Sequence, residues 1–136
     1  MKSFSCRMFF PVAVVVLCTT LFAIAADHTH ESIDQVREKV EAKKAVLVDV
    51  REKKEWDAGH VDGAIFLPLS ELQRGLGVEE LAKRLPQDRV LYPYCVIGKR
   101  AVTAGNILEK QGYKVRSLKP GYKELIQAGF TGTPQK

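Results

Sequence analysis

The segment from Tyr92 to Ala101 has the most chemistry to offer. An apolar run delivers Cys95 into the short stretch Val96-Ile97-Gly98, and Lys99 and Arg100 then open a helical pattern. A thiol in that place lies over a helix N-terminus. The unpaired amides of the first turn point at whatever binds there, and the helix dipole favours negative charge. Both effects stabilise an anionic sulfur on Cys95, with Lys99 and Arg100 adding positive charge beside it. Gly98 lets the backbone curl tightly round the site. The same features also occur in a purely structural turn, where a buried cysteine acts as a small hydrophobe.

Composition narrows the chemistry. With 136 residues, 46% of them hydrophobic, the chain has the material for one core and is read as a single domain over residues 26–136. Residues 1–25 read as a signal peptide: Lys2 and Arg7 precede the apolar runs Met8 to Leu17 and Leu21 to Ala26. Ala23-Ile24-Ala25 supplies the small residues that a signal peptidase reads, so cleavage is expected before Ala26 and the protein is expected in the periplasm. Polar Thr19 and Thr20 weaken the alternative of a retained membrane anchor, and Leu17 before Cys18 does not suit lipid attachment. Cleavage removes Cys6 and Cys18 and leaves Cys95 alone. A single thiol in an oxidising compartment points to an intermolecular bond or a reactive sulfur.

A dithiol redox enzyme of the C-x-x-C kind is disfavoured because a resolving cysteine is absent, and metal binding through Cys95 lacks partners at ligand spacing. The formal net charge of +5 is mild, and its basic residues are scattered without interleaved aromatics, so nucleic acid is not an expected partner.

Several elements must position Cys95. Ser32 and Gln35 offer a capping pair for a helix over 32–42, and Ala45 to Val50 reads as a strand covered on both faces. A short strand is expected over Ala64 to Leu67, and helices over Ser70 to Leu76 and Val78 to Leu85, separated by Gly77. Further strands are expected over Arg89 to Tyr94 and Lys114 to Leu118. Between them lies a helix whose inner face carries Ala101, Ala104, Gly105 and Leu108, ending at Gly112. A last helix carries Tyr122, Leu125 and Ile126 and ends at Gly129. Strands alternating with helices make an α/β fold with a central, mainly parallel sheet flanked by helices. Pro93 conflicts locally, because a central strand would lose a ladder bond there.

Four groups of residues in order then carry a resemblance. Asp49-Val50-Arg51-Glu52 is followed by Glu55-Trp56-Asp57-Ala58-Gly59-His60-Val61-Asp62-Gly63-Ala64, by Tyr94-Cys95 with Gly98 and Arg100, and by Gly112-Tyr113 with Gly121-Tyr122. Over residues 31–130 the chain resembles the rhodanese family, and with its signal peptide it is most similar to small periplasmic rhodaneses of the phage-shock type. The resemblance implies a rhodanese-like fold and a thiosulfate-type sulfurtransferase. Cys95 would be the nucleophile that becomes a persulfide, and Val96, Ile97, Gly98, Lys99 and Arg100 the cradle that binds the donor. A small anionic sulfur donor such as thiosulfate and a cyanide or thiol acceptor are implied, with neither cofactor nor metal. Val96 and Ile97 are apolar where many relatives carry polar or basic residues.

Two rival functions remain. Phosphatases and arsenate reductases of related fold use C-x5-R, whereas Arg100 follows Cys95 after four residues. A non-catalytic binding module typically lacks the cysteine. Asp49, Arg51 and Glu55 are read as a network tying strand end to helix, His60 as a packing residue and Trp56 as a core anchor. Ala26-Asp27-His28, at a newly cleaved terminus, has the groups to surround copper or nickel, but a polar tail is the favoured reading.

Overall fold

Ser32 opens the first helix, α1 (Ile33–Glu41), through a reciprocal cap: its hydroxyl accepts the Gln35 N–H at 3.2 Å, and the Gln35 side chain accepts the Ser32 N–H at 2.9 Å. The chain then follows the order β1 (Ala45–Asp49), α2 (Lys53–Ala58), β2 (Ile65–Phe66), α3 (Leu69–Arg74), α4 (Val78–Arg84), β3 (Val90–Tyr94), α5 (Lys99–Lys110) and α6 (Tyr122–Gln127). This computed structural model describes residues 27–133, so the signal peptide expected over 1–25 lies outside the described residues. Among the described residues no helix is long and apolar enough to cross a membrane.

The sheet is parallel, in the order β2-β1-β3, and both its faces are covered. The alternation of β1 divides the core. Val46 and Val48 face a cluster with Leu72, Leu81, Ala101, Ala104 and Leu108, while Ala45 and Leu47 face Val36, Tyr92, Tyr94 and Leu125. Two-sided burial explains why β1 is an unbroken apolar run rather than an alternating one. On α5 the buried residues are Ala101, Ala104, Gly105 and Leu108, the face expected from their spacing.

Pro93 decides the outer side of β3. Val90 N–H donates to the Lys44 carbonyl and Val50 N–H to the Tyr94 carbonyl, both at 3.1 Å, so alternate residues of β3 serve β1. Leu91 and Pro93 face the other way. Leu91 donates to Lys114 at 2.8 Å and accepts from Arg116 at 2.9 Å, and the Pro93 carbonyl accepts the Leu118 N–H at 2.9 Å. The proline nitrogen has no hydrogen, so the matching bond to the Arg116 carbonyl is not made. The strand expected over Lys114 to Leu118 is therefore an extended edge segment, with an isolated bridge between Leu91 and Val115. A second bridge pairs His28 with Ser117, so residues that read as a polar tail lie along this edge instead.

Three further readings are corrected. α2 was not expected; its signal is Glu55, whose side chain reaches back to accept the Glu52 N–H at 3.0 Å. The break between α3 and α4 begins at Gly75, which closes α3 in the left-handed conformation, with Gly77 the N-cap of α4. Trp56 is half-buried outside both core clusters, stacked on His60 at 3.5 Å between ring centroids and tilted against Phe66.

Candidate active site

Cys95 lies just beyond the carboxyl end of β3, where a parallel sheet presents its binding side. The chain turns through Val96, Ile97 and Gly98 and enters α5 at Lys99. Gly98 is the N-cap in the left-handed conformation, and its N–H points back at Cys95 Sγ at 3.1 Å. That bond is available to a thiolate or a persulfide. Glycine is needed at position 98 on two counts: φ is +88°, and a Cβ would fall 2.3 Å from His28 Nε2. Behind the loop, a Cβ on Gly121 would lie 2.2 Å from the Val96 carbonyl oxygen. The close approach lets the Tyr122 N–H donate to the Cys95 carbonyl at 3.3 Å.

The loop rests on a buried polar network at the end of β1. Asp49, wholly buried, accepts from Arg51 Nη2 at 2.7 Å, Arg51 Nε at 2.9 Å, the Arg51 N–H at 3.0 Å and the Tyr94 hydroxyl at 2.8 Å. Arg51 also donates to the Gly59 carbonyl at 2.7 Å, and Tyr94 accepts the Val61 N–H at 3.3 Å. Burial, then the charge of Asp49, pushes the Tyr94 hydroxyl far above its ordinary range, so it remains a neutral donor. Nearer the surface, Arg100 Nη1 and Nη2 hold the two oxygens of Glu55 at 2.7 and 2.8 Å.

Comparison with known proteins identifies the frame that carries this loop. A family model described as a rhodanese-like domain matches residues 32–128. The chain belongs to the rhodanese-like domain family. It is 30% identical over 105 residues to human thiosulfate:glutathione sulfurtransferase, covering 71% of this chain and 91% of that one. It is 44% identical over 71 residues to the probable adenylyltransferase/sulfurtransferase MoeZ of Mycobacterium tuberculosis, covering 52% of this chain but only 17% of that longer protein. Among solved structures, the rhodanese-related protein of Thermoplasma volcanium superposes with a TM-score of 0.60 at 25% identity, over 74% of this chain and 93% of that one.

In this rhodanese-like domain the expected site residues divide into two groups. Cys95, 1% exposed, and Gly98 are buried at the centre, whereas Val96 and Ile97 are 49% and 68% exposed and form its rim. Lys99 is exposed on the first turn of α5. Arg100 follows on the same turn of α5, and its guanidinium turns aside to Glu55. Sequence reasoning considered His28 only as part of a polar tail or terminal metal site and did not place it on Gly98, and it missed Lys123, which lines a pocket beside the loop. Neither carries a local signal, because both are brought in by distant segments. Ala26 lies outside the described residues, among which no group of three or more histidine, cysteine or acidic side chains is placed to hold a metal ion.

The pair Glu55–Arg100 makes stability depend on acid. Hydrogen bonding from Arg100 is the main cause holding the Glu55 carboxyl down to about 2. A depressed carboxyl stabilises the fold above its unfolded value of 4.5 and loses that contribution as pH falls through the folded value. Glu55→Gln should therefore be less stable than the parent at neutral pH. The gap should narrow below about pH 4.5 and close near pH 2. Urea unfolding of both proteins across that range checks it, and a pH-independent gap would remove the ion pair from the account.

Proposed function

We propose that the protein is a thiosulfate-type sulfurtransferase that carries a sulfane sulfur on Cys95 as a persulfide. The observation that carries the reading is the Gly98 N–H directed at Cys95 Sγ at 3.1 Å, in a loop that ends on the first turn of a twelve-residue helix. Such a cradle favours an anionic sulfur before and after transfer. The Cys95 thiolate attacks the outer sulfur of thiosulfate, the sulfur–sulfur bond breaks, and sulfite departs with the bonding pair. A thiolate or cyanide then attacks the outer sulfur of the persulfide, and Cys95 leaves as a thiolate.

Family membership and the thiosulfate:glutathione sulfurtransferase activity of the human relative support this chemistry. The engagement of Arg100 by Glu55 speaks against a phosphatase, since the guanidinium that would clamp a phosphate already has a carboxylate partner. Export to the periplasm, with cleavage before Ala26, belongs to the same proposal.

Intact-mass measurement tests it. After incubation with thiosulfate the protein should gain the mass of one sulfur atom, and cyanide or a thiol should remove it. Protein taken from its native host should begin at Ala26. A mass that never changes with thiosulfate, alongside release of phosphate from an aryl phosphate, would overturn the reading.

A further inference from the structure

Gly98 opens its helix differently from the other N-caps. Those of α1, α2, α3, α4 and α6 are Ser32, Glu52, Pro68, Gly77 and Gly121, all with extended backbone, whereas Gly98 before α5 is left-handed. Glycine enters either region about as readily, so the residue itself does not choose. Its neighbours must. On the face where a side chain would stand, the three nearest atoms to a Cβ are His28 Nε2 and Cδ2, at 2.3 and 3.1 Å, and Lys119 Cα at 3.1 Å. The imidazole is not kept there by a bond of its own. Nε2 is buried without a partner among the described residues, and Nδ1 lies 3.7 Å from Asp27 Oδ1, beyond hydrogen-bond reach. Its place is set by the segment that carries it. The Thr29 N–H donates to the Ser117 carbonyl at 2.8 Å, a bridge pairs His28 with Ser117, and the Glu31 carboxylate is bonded by Tyr92, Lys39 and Arg116. Ser117 in turn donates its hydroxyl to the Ala101 carbonyl, on the first turn of α5, at 3.1 Å. Residues 27–31 and the start of α5 are therefore fixed to the same edge residue.

We propose that His28 is a positioning residue for the reactive sulfur: seated on Gly98, it holds the left-handed turn that directs the Gly98 N–H at Cys95 Sγ. The proposal deepens the sulfurtransferase reading above and rests on it. The imidazole moves no proton in this role. Without the ring, Gly98 gains the extended conformation that the other N-caps adopt, its peptide plane turns, and the amide now 3.1 Å from the sulfur leaves it. An anionic sulfur then loses a charge-assisted hydrogen bond, and the attacking thiolate and the persulfide are both less well held. The other side of the loop, where Gly121 and Tyr122 meet the Val96 and Cys95 carbonyls, is untouched.

Amide exchange and sulfur loading, measured on the same proteins, test it. In His28→Ala the Gly98 amide, followed by NMR, should exchange with solvent about tenfold faster than in the parent. The Leu81 amide, bonded to the Gly77 carbonyl in α4, and the urea midpoint should change little. Loading by thiosulfate, followed by intact mass, should slow about tenfold, the worth of one hydrogen bond to an anion. His28→Gln, whose side chain reaches as far as Nε2, should recover most of both losses. Unchanged Gly98 exchange in His28→Ala overturns the proposal. So does faster exchange matched at Leu81, which is a general loosening of the fold. A glutamine variant that loads as slowly as the alanine variant, with Gly98 exchange at the parent value, also overturns it, because the imidazole then acts by its chemistry and not by its place. Failure of the parent to load overturns the sulfurtransferase reading instead; the exchange comparison needs no substrate and still decides whether His28 places Gly98.

Discussion

Cys95→Ser is expected to abolish sulfur uptake from thiosulfate and turnover with cyanide, down to the level of buffer alone. The hydroxyl occupies nearly the same volume and still accepts the Gly98 N–H that reaches Sγ in the parent. It is not ionised near neutral pH, and it offers no sulfur with which to form a persulfide. The loss is therefore chemical. Cys95 lies among Val46, Val48, Ala101 and Ala104, so a more polar atom there should cost about 1 kcal/mol of stability, too little to unfold the domain. Circular dichroism and a urea midpoint establish the fold, and intact mass and a sulfite assay establish the activity. Turnover by a folded serine variant above a hundredth of the parent rate would remove Cys95 from the mechanism.

Asp49→Ala should give the largest loss of stability of any substitution at the site. The change strands the Arg51 guanidinium, the Arg51 amide and the Tyr94 hydroxyl in a region where Asp49 is wholly buried. Removing one partner of a buried ion pair typically costs about 3–5 kcal/mol, against a total of about 5–15 kcal/mol for a whole domain. The variant should be partly unfolded at room temperature or melt far below the parent. Adding Arg51→Leu to Asp49→Ala should recover part of the loss, because the stranded charge goes too. Urea unfolding of the two single variants and the double variant measures the coupling. A single-variant loss under about 1 kcal/mol, or a double variant equal to the sum of the singles, would mean that the network does not hold the site together.

Much of this arrangement is legible in the sequence because local signals agree with the fold. Ser32 and Gln35 announce α1, the valine-rich stretch announces β1, and small residues at helical spacing announce the inner face of α5. The place of Cys95 between a strand and a helix is legible for the same reason. What escaped depends on pairing between distant segments. Pro93 can be read as a conflict, but only the register with 114–118 tells which neighbour loses a bond. The direction of Arg100 depends on Glu55, forty-five positions earlier, on a helix of only six residues. The position of Lys123 beside Arg51 depends on how α6 closes over the loop, and its own neighbours in sequence give no hint of it.

Main-chain atoms take part in three close contacts of the reactive loop. Gly121 packs against the Val96 carbonyl, the Tyr122 amide bonds the Cys95 carbonyl, and the Gly98 amide meets Cys95 Sγ. Val96 and Ile97, the two outward side chains between them, are 49% and 68% exposed. These positions can drift under selection without disturbing the sulfur's resting place. A lineage could exchange one client molecule for another by changing two surface residues while its chemistry stayed as it was. Reaction and recognition thus rest on different parts of this loop, the buried sulfur and its exposed neighbours.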